Sequence, residues 1–321
     1  MLNYSRCPLY QLSSKKQLIS LLHIDNKKLF KQEYIASQIK PYLKKGKSRL
    51  IEPPQPELKK VQRRIKKLLY LIEYPDNVFS GVPKRSYAQN AQFHANKPIK
   101  SMFKIDLSGF FPSISREKVY SFFSKDMCCA PDIAEILTNL TTVDVDMTET
   151  PEIAQIHEFL KTKGTKNTNH LISGSPTSQI LSYLVNQDMF NEMQELSDRN
   201  HVVMTIYVDD VTFSGNCHIS YRFKYRVLQI IKKYNYKMSG DKKKQYTERY
   251  PKHVTGAIID KNNHLRIKNR IQLNVITELR KVKANPNDTE SMNRLKGYLQ
   301  TARQIDRNAF QGIYNYVYPK K

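Results

Sequence analysis

Apolar residues in the first part of the chain recur at helical spacing. Between residues 11 and 46, Leu18, Leu21, Leu22, Phe30, Tyr34, Ile35 and Ile39 are separated mostly by three or four positions or their sums, which predicts helix. A basic turn, Lys44-Lys45-Gly46-Lys47-Ser48-Arg49, comes next, ahead of the strand-like Leu50-Ile51 and the breaker Pro53-Pro54. From Glu57 to Leu71 the pattern sharpens, with Leu58, Val61, Ile65, Leu68 and Leu69 on one face of a helix and Arg63, Arg64, Lys66 and Lys67 on the other. Such a helix can pack on one side and meet phosphate on the other.

The middle of the chain changes period. Ser101 to Ile105 reads as a strand ending in Asp106, followed by Phe110-Phe111-Pro112 and a helix start near Ser115, with Arg116-Glu117 in its first turn. Residues 144–169 are polar and acidic, then rich in Gly, Thr, Asn and Lys, and predict a long surface excursion. Beyond the turn-prone Ser173-Gly174-Ser175-Pro176-Thr177-Ser178, Leu181 to Leu196 reads as one helix striped by Leu181, Leu184, Val185, Met189 and Met193. The β-branched run from His201 to Ile206 and Val211-Thr212-Phe213 form two short strands joined by a tight turn at Tyr207-Val208-Asp209-Asp210. A second strand pair is predicted at 254–259 and 264–267, and from Ile271 the pattern is helical to the end. There is no internal repeat and no low-complexity tract.

Composition bounds the partner. The chain has 321 residues, 40% of them hydrophobic, enough for one large domain or two to three subdomains and too many for wholesale disorder. Its 53 Lys and Arg against 29 Asp and Glu leave +24, which points to a polyanion. The excess is segregated: 21 basic against 6 acidic residues in 1–100, 8 against 16 in 101–220, and 24 against 7 in 221–321. An acidic centre between basic flanks predicts a groove whose walls neutralise phosphate and whose carboxylate floor needs divalent cations before a polyanion can approach. No stretch reaches the roughly 18 apolar residues of a membrane span, and the N-terminus lacks the apolar core of a signal peptide, so a cytosolic protein without membrane contact is expected. The scattered Cys7, Cys128, Cys129 and Cys217 lack zinc-site spacing and are expected to be reduced, mostly buried thiols.

The candidate chemistry lies in three aspartates. Asp106 closes an apolar strand, and Asp209 and Asp210 sit at a hairpin tip. Carboxylates at strand ends project from rigid backbone into one cleft, as two divalent metals about 4 Å apart require for in-line phosphoryl transfer. One metal would lower the pKa of an attacking hydroxyl and the other would stabilise a pyrophosphate leaving group, with no side-chain nucleophile. An Asp-Asp pair at a turn is ordinary by itself. Placed between two β-branched runs, about a hundred residues after a strand that ends in Asp and leads to Phe-Phe-Pro, it is a much rarer conjunction.

Those residues carry a resemblance to reverse transcriptases. Phe103-Lys104-Ile105-Asp106-Leu107-Ser108-Gly109-Phe110-Phe111-Pro112-Ser113-Ile114 resembles their first palm motif, and Tyr207-Val208-Asp209-Asp210 their Y-x-D-D motif. The resemblance implies an α+β right-hand polymerase: fingers and N-terminal helices over 1–100, a palm with a ferredoxin-like antiparallel sheet and helices over 101–260, and a helical, RNA-binding thumb over 261–321. It implies an RNA-directed DNA polymerase with two Mg²⁺ ions on Asp106, Asp209 and Asp210. Phe111 would crowd the sugar 2′ position and exclude ribonucleotides, whereas Phe110 reads as core. Arg49, with Lys47 as a second donor, would grip the triphosphate, a task that suits the guanidinium fork. Tyr207 and Gly174 complete the nucleotide-binding set. The chain departs from the family at Ser173-Gly174-Ser175-Pro176-Thr177-Ser178-Gln179, where the family pattern is Gln-Gly-x-Pro-x-Ser-Pro. Ser173 thus replaces the Gln that touches the nucleotide, leaving backbone approach through Gly174.

Two further motifs resemble bacterial retron reverse transcriptases: Asn90-Ala91-Gln92-Phe93-His94 (N-A-x-x-H) and Val254-Thr255-Gly256 (V-T-G). Arg294-Leu295-Lys296-Gly297-Tyr298-Leu299 resembles the retron thumb. The resemblance puts Asn90, His94, Arg294, Lys296, Tyr298 and Arg303 in RNA binding, with phosphate contacts and stacking on tyrosines. It implies a cognate structured noncoding RNA as template and 2′-hydroxyl primer, small satellite DNA (msDNA) as product, dNTP substrates, a separate effector protein of toxin or nuclease type in antiphage defence, and a bacterial cytoplasmic setting. At most about a hundred residues follow the palm, enough for a thumb but not for an RNase H domain, so template removal is expected from host RNase H. Two other readings stay open: a group II intron-like or diversity-generating reverse transcriptase, and an inactive RNA-binding scaffold with a polymerase fold.

Overall fold

A computed structural model describes residues 2–44, 49–165, 167–240 and 244–319. The chain begins with α1 (Lys15–Leu22) and α2 (Gln32–Ser37), the paired strands β1 (Tyr42–Leu43) and β2 (Leu50–Ile51), then α3 (Pro56–Leu69) and α4 (Tyr87–Ala95). It continues through β3 (Ser101–Asp106), α5 (Arg116–Ser121), α6 (Pro131–Asn139), β4 (Thr142–Asp144), α7 (Ile153–Lys163), β5 (Asn169–Leu171), α8 (Ser178–Leu184) and α9 (Gln187–Arg199). Next come β6 (Val203–Tyr207), β7 (Asp210–Gly215), α10 (Tyr221–Lys233), β8 (Lys244–Thr247), β9 (Lys252–Val254), β10 (Ala257–Ile259) and β11 (Leu265–Arg266). Three helices close the chain: α11 (Asn269–Ala284), α12 (Thr289–Ile305) and α13 (Gln311–Val317).

Local chemistry explains many of the boundaries. Ser14, Ser115 and Ser220 cap α1, α5 and α10 by accepting backbone N–H bonds, and Ser86 and Gln89 form a reciprocal capping box at α4. Pro56 and Pro131 open α3 and α6, where the missing N–H costs nothing.

The central sheet is antiparallel, in the order β6-β7-β3-β8. Side-chain alternation splits it into two unlike faces. Phe103, Ile105, Met204, Ile206, Val211 and Phe213 point into the main core; Phe103 stacks on Phe213 at 5.9 Å between centroids, and Phe213 meets Phe223 of α10 edge-on at 5.4 Å. The other face is mixed. Its Met102 packs with Ala91 and Ala95 of α4 and with Val254, Ala257 and Ile259 of the β9–β10 hairpin, in a separate small core. A third core joins α11, α12 and α13 through Val275, Val282, Leu295, Leu299 and Val317.

Four expectations change. The N-terminal helical stretch is two short helices, because His23 adopts a left-handed φ of 51° and closes α1. Residues 144–169 are not merely a surface excursion: Ile156, Phe159 and Leu160 of α7 are buried, an apolar spacing hidden inside a polar composition. The single helix over 181–196 is α8 and α9, separated where Asn186 donates to the Ser182 carbonyl and accepts from the Tyr236 hydroxyl. Finally, the strand pair expected over 254–259 and 264–267 is present as β10 against β11, but it starts at Ala257, because Thr255, at φ 45°, and Gly256 form a turn that joins β10 to a third strand, β9. Of the cysteines, Cys7 and Cys129 are buried and Cys128 and Cys217 exposed, all as free thiols.

The N-A-x-x-H and V-T-G segments meet in this second core. Thr255 donates to the Tyr87 carbonyl at 3.0 Å, Asn90 donates to the Thr255 hydroxyl at 3.4 Å, and the Tyr87 hydroxyl donates to the Thr301 carbonyl of α12 at 2.6 Å. Gly256 lies flat against the Tyr87 ring, where a Cβ would stand 2.6 Å from a ring carbon. Gly256→Ala is therefore expected to displace Tyr87 and its bond to α12 at a cost of about 1–3 kcal/mol, read as a fall in Tm. Tyr87→Phe, which removes the bond but not the packing, should cost about 1 kcal/mol.

Candidate active site

The last residue of β3 and the β6–β7 turn are locked together. Asp106 is directly opposite Asp210, and Tyr207 opposite Asp210 on the other side. Leu107 N–H donates to the Asp209 carbonyl at 2.9 Å, and Ser239 N–H donates to the Asp106 carbonyl at 2.9 Å. Val208 and Asp209 form the two-residue turn, and Val208, a β-branched residue, holds φ at 59°. That backbone is costly for valine and persists because pairing on both sides over-determines it.

Asp106, Asp209, Tyr207, Phe111, Arg49 and Ser173 line one cleft of about 610 Å³. The structure thus gathers residues that are more than 150 positions apart. Phe110 is buried and stacks on Phe111 at 6.3 Å, which leaves the second ring at the cleft wall. Arg49 reaches the cleft from the start of β2; Lys47 lies outside the described residues.

Asp210 differs from its neighbour. It is the first residue of β7 rather than part of the turn, and its carboxylate accepts from Lys104 Nζ at 2.8 Å and from the Thr212 hydroxyl at 3.3 Å. Lys104, two residues before Asp106 on the same sheet face, is a partner that sequence inspection overlooked, although strand alternation in Lys104-Ile105-Asp106 was a signal for it. Among the described residues, no group of three or more His, Cys, Asp and Glu side chains is gathered closely enough to hold a metal ion. Asp106 and Asp209 both line the cleft, whereas Asp210, paired with Lys104, is not among its lining residues.

The Ser173-Gly174 segment forms another wall. Gly174 has φ 125°, a backbone that L side chains rarely adopt, and a Cβ there would lie a tight 3.2 Å from the Glu52 carbonyl oxygen, so a side chain would be strained. The Ser173 hydroxyl is committed to the Leu50 carbonyl at 2.9 Å. Gln179, exposed in the first turn of α8, also lines the cleft and was not anticipated as a site residue.

The residues expected at RNA fare differently. His94 and Asn90 are fully buried. His94 Nδ1 and Nε2 lie 2.7 Å from the Ser214 hydroxyl and 2.8 Å from the Thr205 hydroxyl, so the ring bridges α4 to the mixed sheet face and offers RNA no surface. The RNA contact expected of these two is corrected to a structural bond, because α4 turns that face inward. On α12, Arg294 pairs with Glu278 at 3.1 Å and with Glu290, Lys296 Nζ stands 5.8 Å from the Tyr318 ring centroid, and Arg303 stacks over Tyr314 at 4.0 Å. Tyr298 packs against the third core.

Comparison with known proteins agrees with this geometry. The family described as reverse transcriptase (RNA-dependent DNA polymerase) matches residues 13–259, and the chain belongs to it. Membership implies the right-hand polymerase fold, consistent with the mixed helices and sheet seen here. Among curated proteins the chain resembles retron reverse transcriptases. It is 28% identical over 192 residues to that of retron Se72 from Salmonella heidelberg (strain 579083-10), covering 59% of this chain and 43% of the relative. It is 24% identical over 182 residues to that of retron Ec48 from Escherichia coli, covering 53% and 38%. To that of retron Ec83 from Escherichia coli it is 22% identical over 263 residues, covering 80% and 79%. The matched region thus spans less than half of the first two relatives.

Burial, followed by the charges of Lys104 and Lys97, pushes the His94 pKa down to about 3. The folded protein therefore needs a neutral imidazole, and its contribution is complete above the unfolded value near 6.5 and lost as pH falls below it. Between pH 6.5 and 5 the loss is expected to be roughly 2 kcal/mol, at about 1.4 kcal/mol per pH unit. His94→Gln, which keeps one donor and one acceptor without a titrating group, should show a shallower fall of Tm with acidification than the parent.

Proposed function

We propose that this chain is an RNA-directed DNA polymerase of retron type, copying part of a cognate structured RNA into small DNA. The observation that carries the reading is the single cleft in which Asp106 and Asp209 face Arg49 and Phe111. In this reading residues 1–100 are fingers, 101–260 palm and 261–321 thumb, the RNA supplies template and 2′-hydroxyl primer, and dNTPs are the substrates. A separate effector and a host RNase H complete the system, as retron membership would entail. No helix of the described residues is long and apolar enough to cross a membrane.

The donor set suits a hard cation, being carboxylate oxygen only. Asp106 and Asp209 would hold Mg²⁺, and Asp210 would join them by exchanging Lys104. Bound there, two ions would activate the attacking hydroxyl and stabilise the departing pyrophosphate. The protein's own residues do the rest. Arg49 binds triphosphate oxygens through its planar fork. In this reading the Phe111 ring, stacked on buried Phe110, would crowd a ribose 2′-hydroxyl. Tyr207, half-buried beside the turn, pairs with Asp210 across the β6–β7 ladder and lines the cleft as part of the nucleotide-binding set.

Primer extension on a cognate RNA tests this. Asp209→Asn is expected to reduce dNTP incorporation by at least about a thousandfold while RNA affinity stays within about twofold, because the lost carboxylate is not part of the basic walls. Extension at the parental rate would refute the site. Phe111→Val should raise rNTP relative to dNTP incorporation by tenfold or more on the order of a lost steric exclusion. An unchanged ratio would remove Phe111 from sugar selection.

A further inference from the structure

Away from the carboxylates, the molecule holds a second buried ionisable pair. Glu52, just after β2, and His170 of β5 have fully buried side chains, with Nε2 2.9 Å from Oε1. The other Glu52 oxygen accepts the Ser173 N–H at 2.6 Å, and Glu52 N–H donates to the Ser173 carbonyl at 2.6 Å. With the Ser173 hydroxyl bound to Leu50, this ties three groups of Ser173 to the segment that also carries Arg49.

The proton count follows from the partners. His170 Nδ1 lies 2.9 Å from the Asn167 carbonyl, which can only accept, so Nδ1 carries a hydrogen. A second proton must then lie between Nε2 and Glu52, since two lone pairs would otherwise face each other. The pair is imidazolium and carboxylate, or neutral imidazole and carboxylic acid, and is net neutral either way. A buried charge is thereby avoided while the second carboxylate oxygen stays on the Ser173 amide.

We propose that Glu52 is a positioning residue for the incoming deoxynucleoside triphosphate: with His170 orienting it, Glu52 fixes the Ser173-Gly174 backbone as a wall of the nucleotide cleft and holds that wall in register with Arg49. The inference rests on the polymerase reading above. It also accounts for Ser173 itself, whose side chain is bound to Leu50 and whose contribution to the cleft is therefore made by its fixed backbone.

Burial opposes a charge on His170, but the Glu52 carboxylate and the Asn167 carbonyl override it and raise the imidazole pKa above its ordinary value. The charge of Asp144 on the paired strand β4 acts in the same direction. A raised pKa means that the pair is complete below about 6.5 and is lost as pH climbs through the elevated value.

The test is single-nucleotide primer extension on a cognate RNA, with dNTP KM and kcat measured across neutral to alkaline pH in the parent, Glu52→Leu and Glu52→Gln. Glu52→Leu should raise dNTP KM about tenfold with kcat within about threefold, the pattern of a lost binding geometry supported by a charged hydrogen bond. The parental KM should rise as pH climbs into the alkaline range; Glu52→Gln should keep the parental KM at pH 7, because its amide can donate to an unprotonated Nε2 and accept from Ser173, and should abolish that expected alkaline rise. If Glu52→Leu does not fold, the comparison of parent with Glu52→Gln decides. A folded Glu52→Leu with parental KM overturns the inference, as does a KM that follows the same pH course in parent and Glu52→Gln. A parent that extends no primer overturns the polymerase reading and this one with it, whereas an active parent with indifferent variants removes only the role of Glu52.

Discussion

The six-residue register between β3 and β7 is the constraint on which the site depends. It sets Asp106 opposite Asp210 and, through the Leu107 amide, clamps the Asp209 carbonyl. A slip of one residue would turn Lys104, Asp106 and Asp210 toward the face now occupied by Phe103, Ile105 and Phe213. The apolar face therefore enforces the position of the carboxylates: burying the aromatics correctly and presenting the acids correctly are the same event. The left-handed Val208 is tolerated because both strands beside it are already committed.

Polar groups beneath and beside the cleft follow a common rule. Lys104 neutralises Asp210, His94 is satisfied by two hydroxyls, and Glu52 shares a proton with His170. His94 and the Glu52–His170 pair are fully buried, the Lys104–Asp210 pair is partly buried, and each holds together segments far apart in sequence. Interiors of this kind penalise removal of one partner more than they reward the pair, since the survivor is left without a hydrogen bond. The consequence is a rigid frame around a charged opening, with Arg49 and Phe111 on walls that cannot drift independently.

The two short motifs that resemble retron proteins, Asn90 to His94 and Val254 to Gly256, turn out to be one structural junction. Their side chains touch each other, and Tyr87 continues the contact to α12. Co-occurrence of the motifs in one chain has a physical basis: the flat Gly256 is needed because the Tyr87 ring lies on it. The helical C-terminal unit, with its own small core, is thereby held to the sheet.

Much was legible in the sequence because it depended on short-range pattern. The strand from Ser101 to Asp106, the basic amphipathic helix near 56–69, the β6–β7 hairpin and the acid-bearing turn follow from alternation, helical period and turn chemistry between residues close in the chain. The resemblance carried by the motifs singled out the three aspartates, Arg49 and Phe111, and the fold brings Asp106, Asp209, Arg49 and Phe111 to one cleft. Only the tertiary structure decided what each side chain faces. It turned His94 inward, gave Asp210 to Lys104, split the helix at Asn186, buried α7 and joined Glu52 to His170 across more than a hundred residues. Burial and long-range pairing depend on which surfaces meet when the elements pack, and no local pattern in the chain encodes that meeting.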